Sequence, residues 1–161
     1  MGTGDMGNKK KKKGKLKSGT WIEREMFLSR AFHALSGFAP QLLIMFLGKR
    51  DIKLKNGKYV CINQDNITMT YIELENIYNR GKYEKHLPKG ITRTRINAAL
   101  KQLLAKGFIK IIHHGGGFQQ DKSIYALIDD WCLWRPGQVI NERPKDTRKL
   151  GYRKPKNKSN A

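Results

Sequence analysis

The chain has 161 residues, 39% of them apolar, and carries 33 Lys and Arg against 13 Asp and Glu, a formal net charge of +20. That length fits one domain with a modest core, and the charge points to a polyanionic partner or an anionic surface. The longest unbroken apolar run, Leu42 to Leu47, falls far short of the roughly 20 residues that cross a bilayer, and Cys61 and Cys132 belong to no C-x-x-C pair, which gives no basis for a disulfide framework or a zinc ribbon and suits reduced, intracellular thiols.

Residues 1–19 read as a basic N-terminal tail built on KKKKKGKLK; residues 1–20 hold seven basic and one acidic side chain. With almost nothing apolar to bury, this tail is expected to be disordered, serving as a localisation signal or as an electrostatic arm. The mixed polar stretch that follows, Ser18 to Arg30, does not extend it into a signal peptide. Folding is expected from Thr20, where Thr20-Trp21-Ile22-Glu23 fits a capping box that opens a helix running to Leu35. Met26, Phe27, Phe32 and Leu35 would form its buried side, and Ser36-Gly37 would end it. A second helix is expected over Pro40 to Gly48, with the proline tolerated in the first turn. Its QLLIMFL run is apolar nearly all round, which predicts a central core helix or part of a self-association surface.

IKLK-NG-KYVCIN, Ile52 to Asn63, predicts a tight hairpin, because Asn56-Gly57 supplies the positive φ angles of a two-residue turn. A short strand at Ile67 to Thr70 leads into Thr70-Tyr71-Ile72-Glu73, a second capping-box match. The helix it opens should run to about Asn79, with Ile72, Leu74, Ile77 and Tyr78 available to the core. Arg80 to Gly90 is a basic loop, and residues 80–101 hold seven basic side chains against one acidic.

The next helix begins at the N-cap Thr92 and stops before Gly107, the residue type that takes the left-handed position after a helix. At about 100° per residue, Ile96, Ala99, Leu100 and Leu103 share one side, with Leu104 at its edge. The opposite side holds Thr94, Asn97, Ala98, Lys101 and Ala105, flanked by Arg93 and Arg95. Phe108 to His114 reads as a strand, Gly115 to Lys122 as a glycine-rich tip and Ser123 to Ile128 as the returning strand. Trp131 and Trp134 are expected to close the core. From Arg135 the composition turns to Arg, Lys, Asn and Pro, a second basic tail over 135–161 with nine basic and two acidic side chains; the folded domain is thus expected over 20–134.

GITRTRINAALKQLLAKGFIKI followed by GGGFQQDKSIYAL resembles the recognition helix and wing of bacterial repressors of the MarR and GntR types. It is also similar to the N-terminal domains of plasmid replication initiators. The likeness covers Ile67 to Ile128, and its most diagnostic piece is the L-x-x-L-L-A-K-G-F-I junction. It implies an α+β fold, a winged helix-turn-helix, mostly helical with a small antiparallel sheet and a wing hairpin. It also implies that Arg93, Thr94, Arg95, Asn97 and Lys101, on the helix capped by Thr92, face the DNA major groove. Gln119, Gln120 and Lys122 would then reach the backbone or minor groove from the wing. Arg and Asn suit that role, since they make bidentate contacts to guanine and adenine edges. The loop from Arg80 to Gly90 is much longer than the usual turn between the two helices, and its Lys82, Lys85 and Lys89 suit phosphate contacts, which position a protein without specifying sequence.

His113-His114 reads as a strand pair pointing to opposite faces, and HHGGG as a turn, because no G-x-S-x-G nucleophile elbow accompanies it. No phosphate-binding G-x-x-x-x-G-K-[ST] loop or metal-binding carboxylate–histidine motif is present in the sequence, so neither an enzyme nor a cofactor is expected. The sequence therefore predicts a cytoplasmic, nucleoid-associated protein of a bacterium, phage or plasmid that binds double-stranded DNA as a transcriptional regulator or replication initiator, with no membrane partner. Pairing of two copies would use Trp21 and the first helix, since such proteins commonly bind paired half-sites. A module for structured RNA or the ribosome, and a winged-helix adaptor for another protein, are the alternatives.

Overall fold

The computed structural model describes residues 19–79, 91–115 and 121–143. In chain order the elements are α1 (Arg24–Leu28), α2 (Arg30–His33), α3 (Ala39–Gly48), β1 (Ile52–Lys55), β2 (Lys58–Cys61), β3 (Ile67–Thr68), α4 (Tyr71–Asn79), α5 (Arg93–Ala105), β4 (Ile109–His113), β5 (Ile124–Leu127) and a 3-10 turn at Asp130–Cys132. The architecture is α+β, with helices packed on a small antiparallel sheet of order β3-β5-β4 and a separate β1-β2 hairpin. The expected disorder of residues 1–18 falls outside the described residues. So do the loop expected at 80–90, residues 116–120 of the expected tip, residues 144–161 and the side chains of residues 77–79.

The single helix expected up to Leu35 is instead two short ones. Glu23 is the N-cap of α1 and makes no side-chain capping bond, so the predicted box at Thr20 does not form. Ser29 causes the break: its backbone is extended, its hydroxyl donates to the Met26 carbonyl (2.7 Å) and accepts from the Phe32 amide (3.1 Å). A serine hydroxyl competes with backbone partners in this way, ending one helix while capping the next. Met26 and Leu35 are buried as expected and Phe32 packs against the core, whereas Phe27 is half exposed.

Helix α3 carries its proline in the first turn and buries Leu42, Leu43, Phe46 and Leu47. It packs against α5, whose Ile96, Ala99, Leu100, Leu103 and Leu104 are all buried, Leu104 as fully as the rest. Burying each such side chain stabilises the fold by about 1.5–3 kcal/mol, and this leucine-rich seam is the centre of the core. Phe46 meets the Tyr125 ring edge-on at 5.2 Å, which joins α3 to the middle strand β5. Lys49, at the end of α3, donates to the Thr68 carbonyl and pairs with Glu73 at 2.6 Å.

The hairpin has the predicted two-residue turn, with Asn56 at φ 49° and Gly57 at φ 74°. Its strands are exposed, and Asn63 closes the base by accepting from the Asp51 amide (2.7 Å) and donating to the Lys49 carbonyl (2.9 Å). At α4 the Thr70 hydroxyl accepts from the Glu73 amide at 3.1 Å. Leu74 is buried, but Ile72, expected in the core, is 64% exposed, because it sits on the opposite side of the first turn from Leu74.

Helix α5 starts where Thr92 accepts from the Arg95 amide (3.3 Å). It ends in a Schellman motif: the Gly107 amide donates to the Leu104 carbonyl and the Phe108 amide to Leu103, both at 3.0 Å, with Gly107 at φ 76°. Phe108 then stacks on Trp131 at 6.2 Å, and Trp131 and Trp134 are both buried.

The folded unit does not stop at Trp134. The Trp134 indole donates to the Gln138 carbonyl (2.9 Å), the Ile140 amide to the Ala105 carbonyl (2.8 Å) and the Asn141 amide to Leu104 (3.3 Å). Residues 135–143, expected as the start of a tail, therefore form a strap laid along α5. The half-buried Ile140 supplies apolar contact that the surrounding polar composition concealed.

Candidate nucleic-acid interface

Three pieces meet beside the outward side of α5: the start of α4, the base of the β4–β5 hairpin and the strap. They enclose a groove of about 560 Å3 whose lining includes Tyr71, Arg93, Gly115, Lys122 and Arg143. Thr92, Arg93, Thr94, Arg95, Ala98 and Lys101 are exposed on α5, and Asn97 is half buried. The helix is thus divided as its sequence predicts, apolar residues inward and small or polar ones outward.

Three carboxylates near this face are engaged, while Glu142 on the strap is exposed near Lys101 with no ion pair among the described residues. Glu75 on α4 accepts from Arg93 Nε at 3.0 Å, which ties the two helices together across the 80–90 segment. That hydrogen bond, and then the Glu75 charge, hold the Arg93 guanidinium above its ordinary pKa. Glu73 is held by Lys49, and Asp121 meets His113 Nε2 at 2.7 Å across the hairpin base. Among the described residues Arg95, Lys101 and Lys122 have no ion-pair partner. Apart from Glu142, the side chains left unpaired here are cationic.

The hairpin base is tight because Gly115 faces the returning chain: a Cβ there would lie 2.3 Å from the Lys122 carbonyl carbon and the Ser123 nitrogen. Its amide donates to the Ser123 hydroxyl at 3.2 Å. A register shift between Ile111 and His113 bulges β4 and leaves Ile112 outward. Lys122 is exposed at this base, while Gln119 and Gln120 lie outside the described residues, as do Lys82, Lys85 and Lys89.

Sequence reasoning missed Arg143. The strap carries it back along α5, where its Nε donates to His114 Nε2 (3.1 Å) and its Nη1 donates to both Asn97 Oδ1 (3.1 Å) and the Tyr71 hydroxyl (3.3 Å). One guanidinium thereby joins α4, α5, the base of the β4–β5 hairpin and the strap. Val139-Ile140, the apolar pair just after Pro136-Gly137, was the available signal that the chain returns to the domain.

His113 and His114 engage different partners, Asp121 and Arg143, and no cluster of His, Cys, Asp and Glu suited to a metal occurs among the described residues. Desolvation, and then the neighbouring Asp129 carboxylate, push the Cys132 thiol up from its ordinary pKa, which is the opposite of what activates a thiolate. No helix among the described residues is long and apolar enough to cross a membrane. Comparison with protein families, curated proteins and solved structures finds no match to this chain.

Proposed function

We propose that residues 67–128 form a winged helix-turn-helix and that the protein binds double-stranded DNA sequence-specifically, as a transcriptional regulator or replication initiator of a bacterium, phage or plasmid. The observation that carries this reading is the two-sidedness of α5. Its leucine side is locked into the core while Thr94, Arg95, Ala98 and Lys101 stand exposed beside a hairpin. The element order β3, α4, α5, β4, β5 with sheet order β3-β5-β4 supports α5 as the recognition helix and the β4–β5 hairpin as the wing.

A helix of this kind lies in the major groove, where its side chains reach base edges, and the unpaired lysines neutralise phosphates. Pairing on two half-sites is part of the proposal. Trp21, 72% exposed beside Ile52 and Tyr59, is the contact we assign to it. Arg95 is the most direct test of readout. Arg95→Ala should cost about 1–3 kcal/mol at one base pair of the preferred site and leave binding to random duplex nearly unchanged. Equal losses on both duplexes would overturn the role of α5, and preference for structured RNA over duplex at one salt concentration would replace DNA with RNA as the ligand.

A further inference from the structure

Arg143 has five N–H donors and no acceptor. Its Nε is taken by His114 and its Nη1 by Asn97 and Tyr71, while Nη2 has no partner among the described residues. Because a guanidinium only donates, the Asn97 atom facing it is the carboxamide oxygen. Chemistry thus fixes an amide orientation that geometry alone leaves ambiguous. Asn97 Nδ2, with no bonded partner of its own among the described residues, carries the remaining two donors.

An asparagine that reads adenine uses both ends of its amide, accepting from N6 while donating to N7. Here the oxygen end is bonded to a cation. A base edge approaching Asn97 meets N–H groups from both side chains. Guanine presents two acceptors, N7 and O6, to such a surface, whereas adenine brings an amino donor toward a guanidinium.

We propose that Asn97 and Arg143 act as one donor-rich unit that selects guanine in the major groove, and that Arg143, from outside the recognition helix, sets this preference. The inference rests on duplex DNA being the ligand of this face. Arg143 is held there by the strap, through the Ile140 and Asn141 amides on the last turn of α5, so the reading surface is completed by a segment beyond the sheet. Arg143 is a specificity-determining residue in this account, and Tyr71 and His114 are its positioning residues.

The test is selection of bound sequences from a random duplex pool by the full chain, compared with Arg143→Ala, Arg143→Lys and Asn97→Ala. The wild type should enrich guanine at one position of its motif. Arg143→Ala should lower that preference about tenfold, with adenine rising as the Asn97 oxygen is freed. Arg143→Lys should keep the affinity for random duplex but not restore guanine, because an ammonium lacks the planar fork. Asn97→Ala should weaken the preference at the same position and no other. An unchanged motif in both Arg143 variants would overturn the inference while leaving the proposed function standing. Uniform loss of affinity in Arg143→Ala that Arg143→Lys restores would also overturn it, reducing Arg143 to a phosphate contact. A wild-type pool with no enriched motif would overturn the proposed function along with it.

Discussion

Gly107 sits where α5 turns into β4, at φ 76°, and a Cβ there would lie 2.9 Å from the backbone and side chain of Asp130 and from Ile140. Backbone conformation and space both demand glycine, so Gly107→Ala should destabilise the fold by about 1–3 kcal/mol, read as a lowered urea midpoint at unchanged m-value. Tyr125 is a second sensitive position. Burial against Phe46 pushes its hydroxyl above the ordinary tyrosine pKa, opposed in part by a hydrogen bond with Ser123. A pKa raised by folding means the neutral form is favoured in the native state. That stability is present below about pH 10 and is lost as pH rises through the folded pKa. Tyr125→Phe should therefore flatten the alkaline fall of stability relative to wild type, and identical pH profiles in thermal melts would refute this. Thr92, Asn56-Gly57 and Gly107 were all legible in the sequence because each obeys a rule acting within a few residues. Arg143 was not, since its partners Asn97 and Tyr71 are brought to it only by the fold.

At the scale of elements, amphipathic spacing identified α5 correctly, down to the leucines that face α3, because burial there follows helical period. The first helix misled for a related reason. Thr20 and Glu23 have the right spacing for a cap, yet the serine at position 29 makes its own two bonds and divides the segment. Local pattern does not say which of two competing caps wins. The strap from 135 to 143 was hidden by composition, its apolar pair surrounded by polar and basic residues. Removing it is informative: a chain ending at Trp134 loses the two amide bonds to the last turn of α5 and the Ile140 contact. At about 1 kcal/mol per hydrogen bond plus part of an isoleucine side chain, this truncation should cost about 2–4 kcal/mol. Calorimetric melting of the truncated and full chains checks it, and equal melting temperatures would show that the strap adds no stability.

Over the whole molecule, 12 of the 20 excess positive charges lie in residues 1–18 and 144–161, outside both α5 and the strap in sequence. Such charges raise affinity and association rate without specifying sequence. Deleting residues 1–18 should lower the slope of log affinity against log salt, by about 0.9 for each phosphate no longer neutralised, and leave the preferred site unchanged. A shifted preference would assign reading to the arm. An amide-resolved NMR titration of the full chain with duplex checks whether α5 and the hairpin base meet DNA as proposed. The largest shifts are expected along Thr92 to Lys101, at Lys122 and Ser123, and at Arg143. Shifts confined to residues 1–18 and 144–161, or centred on Trp21 and the β1–β2 hairpin, would contradict it.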